Sequence, residues 1–453
     1  MMMRIGLLGL ILIFSYPVQA TVSKFQLDNG MKILVKEDHR APVAVQQVWY
    51  KVGSNYEYGG ISGISHMLEH MMFKGTQKLA PGEFSKIVSK LGGQDNAFTS
   101  SDYTAYYQVV GKQHLEKMME LEADRMRNVV ITDADFQKER DVVTEERRWR
   151  TEDQPESKLY ELFKATAFVN SPQHHPVIGW MTDIRHWTKE DVRRWYQKWY
   201  APNNATLVVV GDVNPQQVYQ WAQKYYGVHQ AEQITPPKPR TEIEQVGERR
   251  IQLKGPTKSP SLMMGFHVPS LVTAENPAEV YALSVLGSVL DGDDSARLTK
   301  NLVRGSKIVA GASTSYDETS RLQTLFRFDA TPSAGKTLQE IEAALWAEID
   351  KLKSTPVSQK ELERVLAHAE AQYVFHQDSI QTQAMILGSL VSVGLPTDTY
   401  ENWIENLRKV TPEQVQKVAQ KYLKRDAVTV ATLLPNGEEA KPSSGQMMHG
   451  GIR

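Results

Sequence analysis

Apolar and polar positions first alternate with the period of strands, at 31–35 and 43–52, where β-branched and aromatic residues dominate. The glycine-punctuated stretch 53–63 reads as a loop. Helical spacing follows at 64–73 and 81–91, strand-like residues return at 103–110, and helical patterns cover 113–128 and 133–150. Residues 204–210, ending in Leu207 and three valines, predict a buried strand, and 215–226 a helix. Residues 235–239 are polar and proline-rich, suiting a semi-rigid linker. Beyond them the order recurs: strands around 250–253 and 262–268, a helix at 277–290, strands at 307–315 and 322–330, then helices at 338–353 and 358–377.

The recurrence has a sequence trace. Residues 188–199, a capped helical pattern leading into the strand at 205–210, match residues 411–422 leading into 427–433. The offset is 223 residues, with identity at five of twelve positions. This predicts two similar domains related by duplication, at 21–232 and 249–435, joined by the linker 233–248 and followed by a loose tail at 436–453. A length of 453 residues suits two such units. Arg4, the apolar run 5–14 and the small-residue spacing of Val18-Gln19-Ala20 give residues 1–20 the form of a cleaved signal peptide. The mature chain is therefore expected outside the cytoplasm, in the periplasm of a Gram-negative source, with no membrane span after cleavage. Lys plus Arg (52) nearly cancel Asp plus Glu (53), which removes the electrostatic support for a nucleic-acid partner. The absence of cysteine excludes disulfides, thiolate nucleophiles and Cys-ligated metal.

Chemistry concentrates at His66-Met67-Leu68-Glu69-His70. On a helix, His66, Glu69, His70 and Phe73 share one stripe. Two imidazoles one turn apart can grip a zinc ion, and a carboxylate on the same face can take the proton of a water that zinc acidifies. A third ligand must come from elsewhere. Phe136, Glu139, Val143 and Glu146 fall along one face of the 133–150 helix, and two carboxylates on an inward face call for a cation or a partner. Glu145 is the alternative ligand, turned about 100° away from that face. The His174-His175 pair is expected to have a surface or turn role. Met67, Met71, Met72, Met118 and Met119 are expected to fill the core, and Trp195, Tyr196, Trp199 and Tyr200 to pack.

His-x-x-Glu-His is the inverted zincin motif. In its context, Gly63 to Thr76, it resembles the signature of the pitrilysin family, which includes insulin-degrading enzyme and the mitochondrial processing peptidase. That resemblance implies one Zn²⁺ per chain on His66, His70 and Glu146, the last 76 residues after His70. It also implies Glu69 as catalytic base and Glu139 assisting from behind the ligands. The segment from Gly92 to Thr99 is similar to a family edge strand that pairs with the substrate backbone, which makes Asn96, Ala97 and Phe98 substrate-binding. The implied fold class is α+β: two tandem similar domains, each a mostly antiparallel sheet with helices on one side. The implied activity is a zinc-dependent endopeptidase acting on peptides, the alternative being a non-catalytic assembly or peptide-binding subunit. One departure stands out. Active relatives place an arginine and a tyrosine seven residues apart in a C-terminal domain. Here neither Ala310 nor Gly311 is tyrosine, Tyr316 lies too far along, and Arg297 is expected to be structural. A homologous partner subunit is expected to supply the pair, with a homodimer as the other possibility.

Overall fold

A computed structural model describes residues 21–438, so the expected signal peptide at 1–20 and the tail beyond 438 lie outside the described residues. The first sheet contains β1 (Ser23–Gln26), β2 (Lys32–Glu37), β3 (Val43–Tyr50), β4 (Gln94–Thr99), β5 (Thr104–Gly111) and β6 (Ala205–Gly211), in the order β1-β2-β6-β3-β5-β4. The second contains β7 (Arg249–Gly255), β8 (Ser261–Val268), β9 (Val309–Ser315), β10 (Thr324–Pro332) and β11 (Val428–Pro435), in the order β7-β11-β8-β10-β9. Pairing is antiparallel in both, except for β2 with β6 and β7 with β11.

Between the strands of the first half run α1 (Ile64–Met71), α2 (Glu83–Lys90), α3 (Leu115–Asn128), α4 (Asp133–Arg147), α5 (Pro155–Ala167), α6 (Met181–His186) and α7 (Lys189–Trp199), and α8 (Pro215–Tyr225) follows β6. The second half carries α9 (Pro277–Asp291), α10 (Leu338–Ser354), α11 (Gln359–Asp378), α12 (Ile380–Val393), α13 (Trp403–Arg408) and α14 (Pro412–Tyr422). The duplication is physical. An offset of 223 carries α7 onto α14 and the start of β6 onto the start of β11. Both helices open on a threonine capping box, Thr188 with Asp191 and Thr411 with Gln414. Five strands of each sheet follow the same order.

On the inner face of the first sheet, Met67, Met71, Met72 and Met119 join Trp195, Tyr196, Trp199 and Tyr200 in one buried core. Met118 is buried in a neighbouring cluster. The outer faces are covered by exchange. Helix α12, from the second half, lays Ala384, Leu387 and Val391 on Val45, Trp49, Val208 and Val210 of the first sheet. Helix α5, from the first half, lays Leu159 and Phe163 on Ala431 and Leu433 of the second. Apolar cover on both faces explains why β6 is buried at all of its positions and carries four consecutive aliphatic residues, Leu207 to Val210. The segment 230–246 has no helix or strand, yet it is anchored: the Glu242 carboxylate accepts the N–H groups of Val169, Asn170 and Ser171. Among the described residues, no helix is long and apolar enough to cross a membrane.

Three expectations need correcting. Helix α1 ends at Met71, so Phe73 lies beyond it and packs against the core rather than extending the histidine stripe. The 133–150 pattern is α-helical as far as Arg147 and widens into a π turn over Arg148–Glu152. His175 is buried, its Nδ1 3.4 Å from the Ser54 carbonyl, so the histidine pair is a turn with one ring inside.

Candidate metal centre

Helix α1 is held at its start by groups from elsewhere. Gly63 takes φ +82°, and a Cβ there would stand 2.4 Å from the Ile178 carbonyl oxygen. Only glycine combines that backbone with that approach. The buried Glu57 carboxylate accepts the N–H groups of Gly63 (2.6 Å) and Ser65 (2.9 Å), satisfying donors that a helix start leaves open. Burial pushes Glu57 up to about 7, with those two donors pulling it back. Asp183 holds the Ser62 N–H and hydroxyl, and Trp195 Nε1 donates to the Ser65 hydroxyl. Helix α4 starts at Thr132, which caps Asp135 N–H, and buries Phe136, Glu139 and Val143.

Packing α1 against α4 brings His66, His70 and Glu146 together, one ligand atom from each lying within 4.8 Å of the others. Glu146 Oε2 is 3.7 Å from His66 Nε2 and 3.3 Å from His70 Nε2. The other Glu146 oxygen, Oε1, is 2.7 Å from Arg150. The far nitrogen of His70, Nδ1, lies 3.3 Å from Glu139 Oε2, while Lys74 Nζ is 2.7 Å from Glu139 Oε1. Glu139 is 2% exposed and therefore touches the back of a histidine and no open space. Glu69 accepts a 2.5 Å hydrogen bond from the Thr99 hydroxyl at the end of β4. Glu145 points away to Arg148 and is exposed.

The electrostatics fit a cation at this point. Burial, then the charge of His70, drives His66 down to about 3 and keeps its ring neutral. Burial also pulls His70 down, but the carboxylates of Glu139 and Glu146 outweigh it and raise it to about 9. Burial opposes ionisation of Glu146, yet His70, His66 and Arg150 bring it down to about 2. Burial lifts Glu69 above the usual carboxylate range, with Thr99 restraining it. Two imidazole nitrogens and a carboxylate oxygen are the donor set a zinc ion takes in a site with one open position. The donors present fit zinc.

Strand β4 is the edge of its sheet. Thr99 turns toward Glu69, whereas the Phe98 ring meets Trp49 edge-on at 5.4 Å on the opposite face. Asn96 Oδ1 accepts the Ala97 N–H. Arg297 is held by Glu361 at 2.7 Å, and the Tyr316 hydroxyl donates to the Pro269 carbonyl. Sequence reasoning missed Thr99, Lys74, Arg150, Glu57 and Asp183. Spacing could have found one of them, since Arg150 follows Glu146, its partner, by four residues.

Duplicated α+β halves, with an inverted His-x-x-Glu-His helix facing a distant glutamate, define the two-domain scaffold of inverted-zincin proteins. The chain belongs to the insulinase family, peptidase family M16, whose profile matches residues 32–179; that of the peptidase M16 inactive domain matches 186–368. It is 32% identical over 418 residues to the zinc protease PqqE of Helicobacter pylori, covering 90% of this chain and 92% of the relative. The crystal structure of a protease from Helicobacter pylori superposes with a TM-score of 0.86 at 30% identity, covering 92% of this chain and all of that one. The periplasmic protease PqqL from Escherichia coli shares the fold at TM-score 0.78 and 18% identity; the match covers 95% of this chain but 51% of PqqL.

Proposed function

We propose that the chain is the zinc-bearing subunit of an exported endopeptidase that cuts peptides or unfolded segments. The convergence of His66, His70 and Glu146 beside Glu69, next to the open edge of β4, carries this reading. His66 Nε2, His70 Nε2 and a Glu146 oxygen would hold the ion. Bound zinc supplies Lewis acidity, polarising the scissile carbonyl and acidifying water. Glu139 is placed to accept the His70 Nδ1 proton, which aims Nε2 inward toward Glu146 as the nitrogen that would meet the ion. Glu69, with one oxygen fixed by Thr99, takes the proton of the attacking water on the other and passes it to the leaving amine nitrogen. The unpaired edge at the half-buried Asn96, Ala97 and Phe98 pairs with an extended substrate backbone, a carbonyl of which replaces Asn96 Oδ1 on the Ala97 N–H. Glu69→Gln is expected to keep one zinc per chain and lose roughly a hundred- to ten-thousand-fold in cleavage of a quenched fluorescent peptide. An unchanged rate would refute the assigned base.

The engaged Arg297 and Tyr316 leave the substrate-clamping arginine and tyrosine to a homologous partner, and the match to half of PqqL supports such pairing of units. The chain alone should bind zinc and hydrolyse peptides poorly, with a homologous chain restoring the rate. Full activity from a verified monomer or homodimer would contradict this. The other reading, a non-catalytic subunit, draws on the inactive-domain profile over 186–368 and would stand if the zinc-loaded pair cleaves no peptide. Export rests on residues 1–20, is supported by the periplasmic location in PqqL's description, and is checked by cell fractionation.

A further inference from the structure

In the second half, away from the metal centre, a cavity of about 190 Å³ lies among α11, α12 and the turn that joins β9 to β10. Three aromatic side chains, Tyr373, Tyr400 and Trp403, line it. Tyr373 and Tyr400 stack with ring centres 5.2 Å apart, and His376 Nδ1 lies 2.6 Å from the Tyr400 hydroxyl, fixing that ring. Leu390 of α12 and Ala369 of α11 contribute apolar wall. Among the described residues, the one carboxylate lining the cavity is Glu318. No cationic side chain among them compensates it: the groups acting on it are its own backbone N–H and the neighbouring Asp317, and burial pushes it up to about 7.

A half-buried carboxylate without a counter-charge is a standing cost. Aromatic faces carry negative quadrupoles that attract cations, and rings grouped around a cavity are how alkylammonium groups are recognised. The Glu318 carboxylate and the aromatic rings both favour a cation, while His376, which also lines the cavity, is occupied with Tyr400, on which it stacks. We propose that the cavity is a binding site for an organic cation, an alkylammonium or guanidinium group, with Glu318 as counter-ion and Tyr373, Tyr400 and Trp403 as its aromatic walls. Such a group comes either from a free small amine or from a lysine or arginine side chain of a peptide.

The experiment uses the full chain, zinc-loaded, with Glu69→Gln so that peptides survive. Trp403 lies in the wall, so tryptophan fluorescence and calorimetry both read occupancy. The probes are tetramethylammonium, N-acetyl-arginine amide, and a short peptide containing arginine or, as control, citrulline. Saturable binding of tetramethylammonium and the arginine amide is expected, weakened at least tenfold by Glu318→Gln. Tyr373→Leu tests the wall in the same way, and an unchanged unfolding temperature in either variant shows that the fold is intact. A peptide source is indicated if the arginine peptide binds at least tenfold tighter than the amide and the citrulline peptide does not. Equal affinity of peptide and amide indicates a free small amine. Absence of saturable binding by any cation, or binding indifferent to Glu318→Gln in a folded protein, would overturn the proposal. Neither result depends on catalysis at the zinc site.

Discussion

At the scale of single residues, the site is a set of side chains each held from behind. Glu139 reaches His70 from the side away from the open position, and Lys74 neutralises its other oxygen. Glu139→Gln is therefore expected to lower zinc affinity about 10- to 100-fold, read by competition with a chromophoric chelator; unchanged affinity would deny it that role. Thr99 fixes Glu69 and touches no metal ligand. Thr99→Val is expected to lower kcat roughly tenfold or more through loss of a hydrogen bond to a charged group, at unaltered zinc content. Which of these groups was legible follows from chemistry. Imidazoles one turn apart announce a metal by spacing, and the helical spacing of Phe136, Glu139, Val143 and Glu146 is enough to put Glu146 on an inward face. Thr99 and Asp183 act through contacts 30 and 121 residues away in sequence, and nothing local in their neighbourhoods marks them.

At the scale of elements, α1 depends on its first turn. Gly63 and Gly179 face each other with positive φ, each at a distance from the other's strand of chain that admits no Cβ. Gly63→Ala is expected to lower the unfolding temperature by several degrees and weaken zinc binding with it, since backbone strain and a clash of this kind cost about 1–3 kcal/mol. A second element test concerns Arg297, which ties the turn before Leu298 to α11 through Glu361. The hydrogen bond from Arg297 holds Glu361 down at about 2, against an ordinary value of 4.5. A depressed carboxylate stabilises the fold above its unfolded pKa and loses that contribution as the pH falls through the folded one. The pair is partly exposed, so its share is about 1 kcal/mol or less. The stability gap between wild type and Arg297→Met should be full at neutral pH and narrow from about pH 5 downward. A rate defect in Arg297→Met without that gap would make Arg297 functional instead of structural. Strand β4 shows why elements were unevenly legible: Gln94–Thr99 is an edge with a polar, half-covered sequence, so hydrophobic alternation is faint there, whereas β6 is unmistakable.

At the scale of the whole molecule, the two halves complete each other. Helix α12 caps the outer face of the first sheet and α5 that of the second. The fit is close: a Cβ on Gly388 would fall 2.0 Å from the Trp49 ring. Residues 21–246 expressed alone should expose Trp49, Val45, Val208 and Val210 and aggregate, and should become soluble when co-expressed with residues 247–453 and co-purify with them. A monodisperse, folded 21–246 fragment would show the exchange to be dispensable. The duplication itself was readable from twelve residues around a capped helix. The exchange was not, because the sequence reading assigned neither α5 nor α12, and nothing in a pattern says which sheet a helix will cover.

The central claim is that His66, His70 and Glu146 hold one zinc ion. Anomalous diffraction at the zinc absorption edge, on crystals of the zinc-loaded full chain, tests it most directly. A single strong peak per chain is expected, about 2.0–2.2 Å from His66 Nε2, His70 Nε2 and a Glu146 oxygen. No peak there, or a peak on other residues, would contradict the account.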